Sequence, residues 1–126
     1  MENWHRIHYD HPFATQHDGL PNIILSGSCK QQFLMQLLKD WVGLDGWVWK
    51  LSFQHRAMTV PGDTLTAWGR VANAYRKSGF GIVDLETGLR NQNGVENCPG
   101  KATVVLPLRN GPPVPYPFHP KALGLE

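Results

Sequence analysis

One helical stripe followed only by strand-like sequence is the pattern that most constrains this fold. Cys29, Phe33, Leu34, Leu37, Leu38 and Trp41 recur at helical spacing, with Lys30, Gln31, Gln32 and Lys39 mostly elsewhere on the wheel. Ser26 or Ser28 stands where a helix cap belongs, and Gly43 supplies a stop. No other stretch reads as a long helix. Downstream, Trp49, Leu51, Phe53 and His55 alternate with Lys50, Ser52, Gln54 and Arg56. Pro61-Gly62-Asp63 marks a turn, after which Leu65, Ala67, Gly69 and Val71 alternate with Thr64, Thr66 and Arg70, Trp68 being the exception. Past Val71 the phase slips, because Asn73 falls on the apolar face, so either a bulge or a strand covered on both faces is expected there. After a turn at Lys77-Ser78-Gly79 comes a strand with Val83, Leu85 and Leu89; Asn91 to Gly94 turns again, and the last strand begins at Thr103. The prediction is an α+β domain, a curved antiparallel sheet wrapped around one long helix.

Size and charge narrow the possibilities. At 126 residues the chain fits one domain with a real core, and its formal charge of +2, without any lysine or arginine run, argues against nucleic-acid or membrane-surface partners. The two cysteines, Cys29 and Cys98, lack a C-x-x-C spacing and suit a reducing compartment. With no apolar run of membrane-spanning length and no signal-peptide pattern, a cytoplasmic domain is expected. Residues 1–108 form that domain. The proline-crowded tail, 109–126, cannot join a central strand and is expected to wrap over the surface or a partner, its final residues disordered.

Chemistry concentrates before the helix. Residues 3–18 read as a loop with a short helical piece around Pro12 to His17, and Ile23-Leu25 as a strand or extended segment. Asn3, His5, Arg6, His8, Tyr9, Asp10 and His11 crowd the start of the chain, a density of proton-moving groups suited to general acid–base work. His5, His8, Asp10 and His11 could chelate zinc, but their pattern is no recognised closed ligand set and no metal is expected.

Several strings occur in an order that resembles the hydratase/dehydratase branch of the hotdog fold, the MaoC-like family. They are H-R-I-H-Y-D-H-P-F-A, G-L-P-N-I-I-L-S-G, the helix, F-x-H-R-A-M-T-V-P-G-D and G-K-A-T-V-V-L-P. The family signature has an aspartate five residues before a histidine and a small residue six after it. Here His8 and Ala14 match, while Asn3 stands at the aspartate position. The form N-x-H-R-I-H-Y-D is similar to the sub-branch of hydroxyacyl-thioester dehydratases and mesaconyl-CoA-type hydratases.

The resemblance implies reversible addition of water across a 2-enoyl thioester carried by coenzyme A or an acyl carrier, with no cofactor. It makes His8 the main acid–base residue and Asn3 a water-orienting partner. An amide cannot accept the proton, so His8 works alone or Asp10 or His5 supplies what the aspartate would. Gly27, at the helix start with Ser26 before it, offers N–H groups to the thioester oxygen. Family members normally have a further strand-forming segment ahead of this motif, and often histidine where Ser26 stands. A homodimer or a heterodimer with a homologous subunit is expected, the alternative function being a non-catalytic or half-site acyl-CoA-binding subunit. Asp63 as a thioesterase carboxylate is a weaker reading than a turn role. Lys30, Arg56, Arg76 and Lys77 are candidate contacts for coenzyme A phosphates.

Overall fold

A computed structural model of the chain describes residues 4–126. A 3-10 turn (Arg6–His8) and a π-helical turn (Phe13–His17) precede the long helix α1 (Gly27–Val42). Four strands follow: β1 (Trp47–Phe53), β2 (Thr66–Lys77), β3 (Phe80–Arg90) and β4 (Gly100–Pro107). They form one antiparallel sheet in the order β1-β4-β3-β2, so β4 inserts between the first strand and the β2–β3 hairpin. The curved sheet against one long helix is the hotdog architecture.

Helix α1 starts and stops at the expected residues. Extended Ser26 accepts a hydrogen bond from the Cys29 N–H, and Gly43, at φ 74°, donates back to the Lys39 carbonyl. The buried stripe, however, runs through Lys30, Leu34 and Leu38, spaced four apart. Phe33 and Trp41 lie to its side and stay 40% and 51% exposed. Lys30 is therefore withdrawn from solvent, with its ammonium on the Ala57 carbonyl (2.6 Å), which removes it as a phosphate contact. Leu34 packs with Leu89 and Cys98, and Leu38 with Val83, Leu85, Ala102 and Val104. Each fully buried leucine contributes about 2 kcal/mol.

The slip after Val71 is a bulge: the β2–β3 register shifts between Val71 and Asn73. The two strands join through Ser78 and Gly79, both at positive φ (54° and 84°), as a two-residue turn matching strand twist requires. Trp68 breaks the apolar alternation because it lies on the opposite face from Ala67. Its Nε1 donates to Glu96 (2.6 Å) and the Arg90 guanidinium sits over its ring.

A second irregularity, between Val48 and Lys50, corrects the expected β1 pattern. Val48 and Leu51 face α1, but Trp49 turns to the outer face with Phe80, Ile82 and Val105. The tail covers that outer cluster with Val114, Phe118, Leu123 and Leu125. The Val114 N–H donates to Asp45 (2.8 Å), Ser78 Oγ to the Gly124 carbonyl (3.0 Å) and Lys77 Nζ to the Leu125 carbonyl (3.3 Å). The tail thus wraps its own sheet, and its last residues are anchored rather than disordered, because Leu125 is buried in an apolar slot. Among the described residues no helix is long and apolar enough to cross a membrane.

Candidate active site

Among the described residues, the chain ahead of α1 forms no strand; side chains hold it in place. Asp10 accepts from both Nε and Nη2 of Arg6 (3.0 and 2.6 Å) and from the Phe13 N–H (3.1 Å). The Arg6 hydrogen bonds, and then the Phe13 N–H, hold the Asp10 carboxyl below the usual carboxylate range. Arg6 also lies over the Phe13 ring (4.4 Å), and Phe13 stacks on His17. Ala14, the small residue of the motif, is fully buried at this corner.

His8 is half-buried at the end of the 3-10 turn. Its Nδ1 lies 2.8 Å from the Ile24 carbonyl, and the Ile24 N–H donates to Ile7 (3.0 Å). A carbonyl can only accept, so Nδ1 carries the hydrogen, and in the neutral ring Nε2 is the nitrogen with the lone pair. Leu25 next donates to the Thr59 carbonyl (2.8 Å), and Gly27 opens α1 three residues after Ile24. His8 is thereby stitched to the segment that leads into the helix N-terminus.

Ser26 is buried and accepts from Cys29 (3.4 Å), and its Oγ lies 3.4 Å from Ser28 Oγ. Helix geometry leaves the Gly27 and Ser28 N–H groups without partners inside α1, where the dipole favours a negative oxygen. Gly27 is required for space as well: a Cβ there would come within 2.5 Å of His55 Nε2. The His55 ring covers this glycine, with Nδ1 facing the Cys98 thiol (3.9 Å). Burial pushes the Cys98 thiol up, so it stays protonated.

His55 was not singled out in the sequence, where it read as one more alternating strand residue. Its sequence signal is its place in the F-x-H-R-A-M-T-V-P-G-D string, six residues before Pro61, and its approach to Gly27 is a long-range contact. The loop bearing it is zipped to the start of β4: Gln54 donates to Pro99, Arg56 to Asn97, and Thr59 Oγ1 to Asn97 Oδ1 (3.1 Å).

The expected residues meet the structure unequally. His8, Ser26 and Gly27 are joined through Ile24 and Leu25, whereas Asn3 lies outside the described residues. Asp10 is engaged by Arg6, and His5 Nδ1 accepts from the Ile7 N–H (3.3 Å). Asp63 serves the turn: it accepts from Val60 N–H (3.0 Å) and Gln92 Nε2 (2.9 Å), which in that order hold its carboxyl low.

Beside this junction opens a cavity of about 620 Å³ between α1 and β2, walled by Leu25, Phe33, Leu37, Leu65, Ala67 and Leu89. Leu25 links it directly to the His8–Gly27 segment. His8, Ser26 and Gly27 reach this chamber only through Leu25; none of the three lines it.

Residues 1–61 match the family model of hydroxyacyl-thioester dehydratase type 2. A search of the curated proteins finds no match in sequence. Among solved structures, the (R)-hydratase from A. caviae involved in PHA biosynthesis aligns with a TM-score of 0.73 at 24% identity, covering 83% of this chain and 78% of that one. The MaoC-like dehydratase from Rhodospirillum rubrum aligns at 0.69 and 24% identity over 83% and 75%. The ChsH1–ChsH2 complex from Mycobacterium tuberculosis aligns at 0.69 and 16% identity over 82% and 76%. The solved structures show that this chain has the hotdog fold, and its residues 1–61 are similar to the hydroxyacyl-thioester dehydratase type 2 family.

Proposed function

We propose that this protein adds water to a 2-enoyl thioester, and removes it in the reverse direction, as a hydro-lyase acting on acyl groups carried by coenzyme A or a carrier protein. The observation that carries this reading is the hydrogen bond from His8 Nδ1 to Ile24, which leaves Nε2 as a proton acceptor on the segment leading to Gly27. In hydration, Nε2 takes a proton from water as the water oxygen bonds to the β-carbon. The π electrons move onto the thioester oxygen, where the Gly27 N–H stabilises the enolate. The proton then returns to the α-carbon, and the carbonyl re-forms. Asn3 orients the water, and Ser26 fixes the helix start. Asp10 is not the missing base in this scheme, because Arg6 holds it. The acyl chain extends into the cavity past Leu25.

The protein acts as a dimer in this reading. β2 lies at the sheet edge with Val71 and Tyr75 exposed, a surface suited to pairing with a second subunit. The likeness to one complex of two different subunits, ChsH1 and ChsH2, favours a second reading in which this chain is a half-site partner of a catalytic homologue. The free cysteines, Cys98 buried, fit a cytoplasmic setting.

The test mixes purified protein with crotonyl-CoA and a branched enoyl-CoA and follows loss of enoyl absorbance. Hydration by the chain alone, abolished in a folded His8→Ala variant, is the expected result. Turnover that appears only with a homologous partner supports the half-site reading, and release of free thiol points to a thioesterase.

A further inference from the structure

The cavity beside α1 is apolar along its walls but not at its polar positions. Its ionisable lining residues are Asp40 and Asp63, with Gln36 and Thr59 as neutral polar groups. Asp40 projects from α1 and accepts from Gln36 Nε2 one turn earlier (2.7 Å). Asp63 is held at the opposite rim by the Val60 N–H and Gln92. Among the described residues, no lysine, arginine or histidine lines the chamber. Lys30 is within electrostatic reach of Asp63, yet its ammonium is spent on the Ala57 carbonyl and does not face the cavity. Lys39 lines an adjoining groove at the C-terminal end of α1 that shares Gln36 and Asp40 with the cavity, but it is not among the residues lining the cavity itself.

We infer that this cavity selects uncharged acyl groups, with Asp40 and Asp63 as specificity-determining residues that turn away acyl chains ending in a carboxylate. The inference rests on the acyl-thioester reading and sharpens its substrate class. A terminal carboxylate would lose its hydration against Phe33, Leu37, Leu65 and Leu89 and find only negative charge in return. An alkyl or alicyclic terminus meets the same walls without that cost. The reaction supplying this substrate must therefore deliver the thioester of a monocarboxylic acid, its far end free of ionised groups.

The test is calorimetric titration of the full chain with octanoyl-CoA and with suberyl-CoA, its equal-length analogue bearing a terminal carboxylate. Suberyl-CoA is expected to bind at least about tenfold more weakly at low salt, the gap narrowing as salt screens the charges. In the Asp40→Asn/Asp63→Asn double variant, the gap is expected to shrink at least about threefold. Asparagine keeps an oxygen for the Val60 N–H; if the double variant melts early, Asp40→Asn alone is read against the wild type. Equal affinities within twofold, or a gap unchanged by the substitutions, would overturn the selectivity while leaving the acyl-thioester reading intact. Failure of both thioesters to bind would overturn both.

Discussion

On its outer face the sheet presents Phe80, Ile82 and Val105 to a tail that ends in a buried Leu125. On its inner face Leu85 and Leu89 meet a helix whose Phe33 and Leu37 border a cavity of about 620 Å³. The same strands thus support a sealed apolar layer on one side and an unfilled one on the other. The open side adjoins a buried polar junction of Ser26, Lys30, Thr59 and Asn97 and the start of α1. The comparison separates what holds this fold together from what it leaves accessible for chemistry.

Removing the tail from Asn110 onward should break the contrast most severely. It bares Phe80, Ile82, Val105 and Trp49 together, and the cooperative melting transition should be lost or fall by tens of degrees. Leu34→Ala, in the layer under α1, should destabilise by about 2–5 kcal/mol in urea unfolding, because its site is closed on all sides. Ala67→Leu, which grows into the cavity instead, should cost under about 1 kcal/mol while weakening octanoyl-CoA binding several-fold. Should Ala67→Leu destabilise as much as Leu34→Ala, the inner layer is as filled as the outer one.

The smallest expected effect concerns pH. The Asp10 carboxyl is held low by Arg6 and Phe13, so its contribution is fully present above the unfolded aspartate value, 3.8, and is lost as pH falls through the lower folded value. Acid should therefore loosen the first turn below pH 3.8. Amide exchange at Phe13 would report it, and Asp10→Asn should remove that pH dependence.

Much of this was readable in the sequence because it depends on near neighbours. The Ser26 cap, the Gly43 stop, the bulge after Val71 and the turn at Ser78-Gly79 are all set within a few residues. What escaped depends on contacts far along the chain. Lys30 looked like a solvated residue because its acceptor, Ala57, lies 27 residues away. Trp49 looked inward-facing because a one-residue irregularity in pairing with β4 reverses its side. The tail's docking depends on an outer cluster built from three separate strands, which no local pattern displays. At the site, the His8 motif was legible as a string, but the bond to Ile24 that fixes its tautomer, and the His55 ring over Gly27, come only with the fold.

The most direct test of this division compares kcat/KM for 2-octenoyl-CoA hydration with melting temperature in two variants, His8→Ala and Leu125→Ala. His8→Ala should lose about 10²–10⁴-fold in rate with a melting temperature near that of the wild type. Leu125→Ala should lose about 2–5 kcal/mol of stability while the folded fraction keeps its kcat/KM. Retention of hydration by His8→Ala, or its loss in folded Leu125→Ala, would contradict the assignment of chemistry to the inner face.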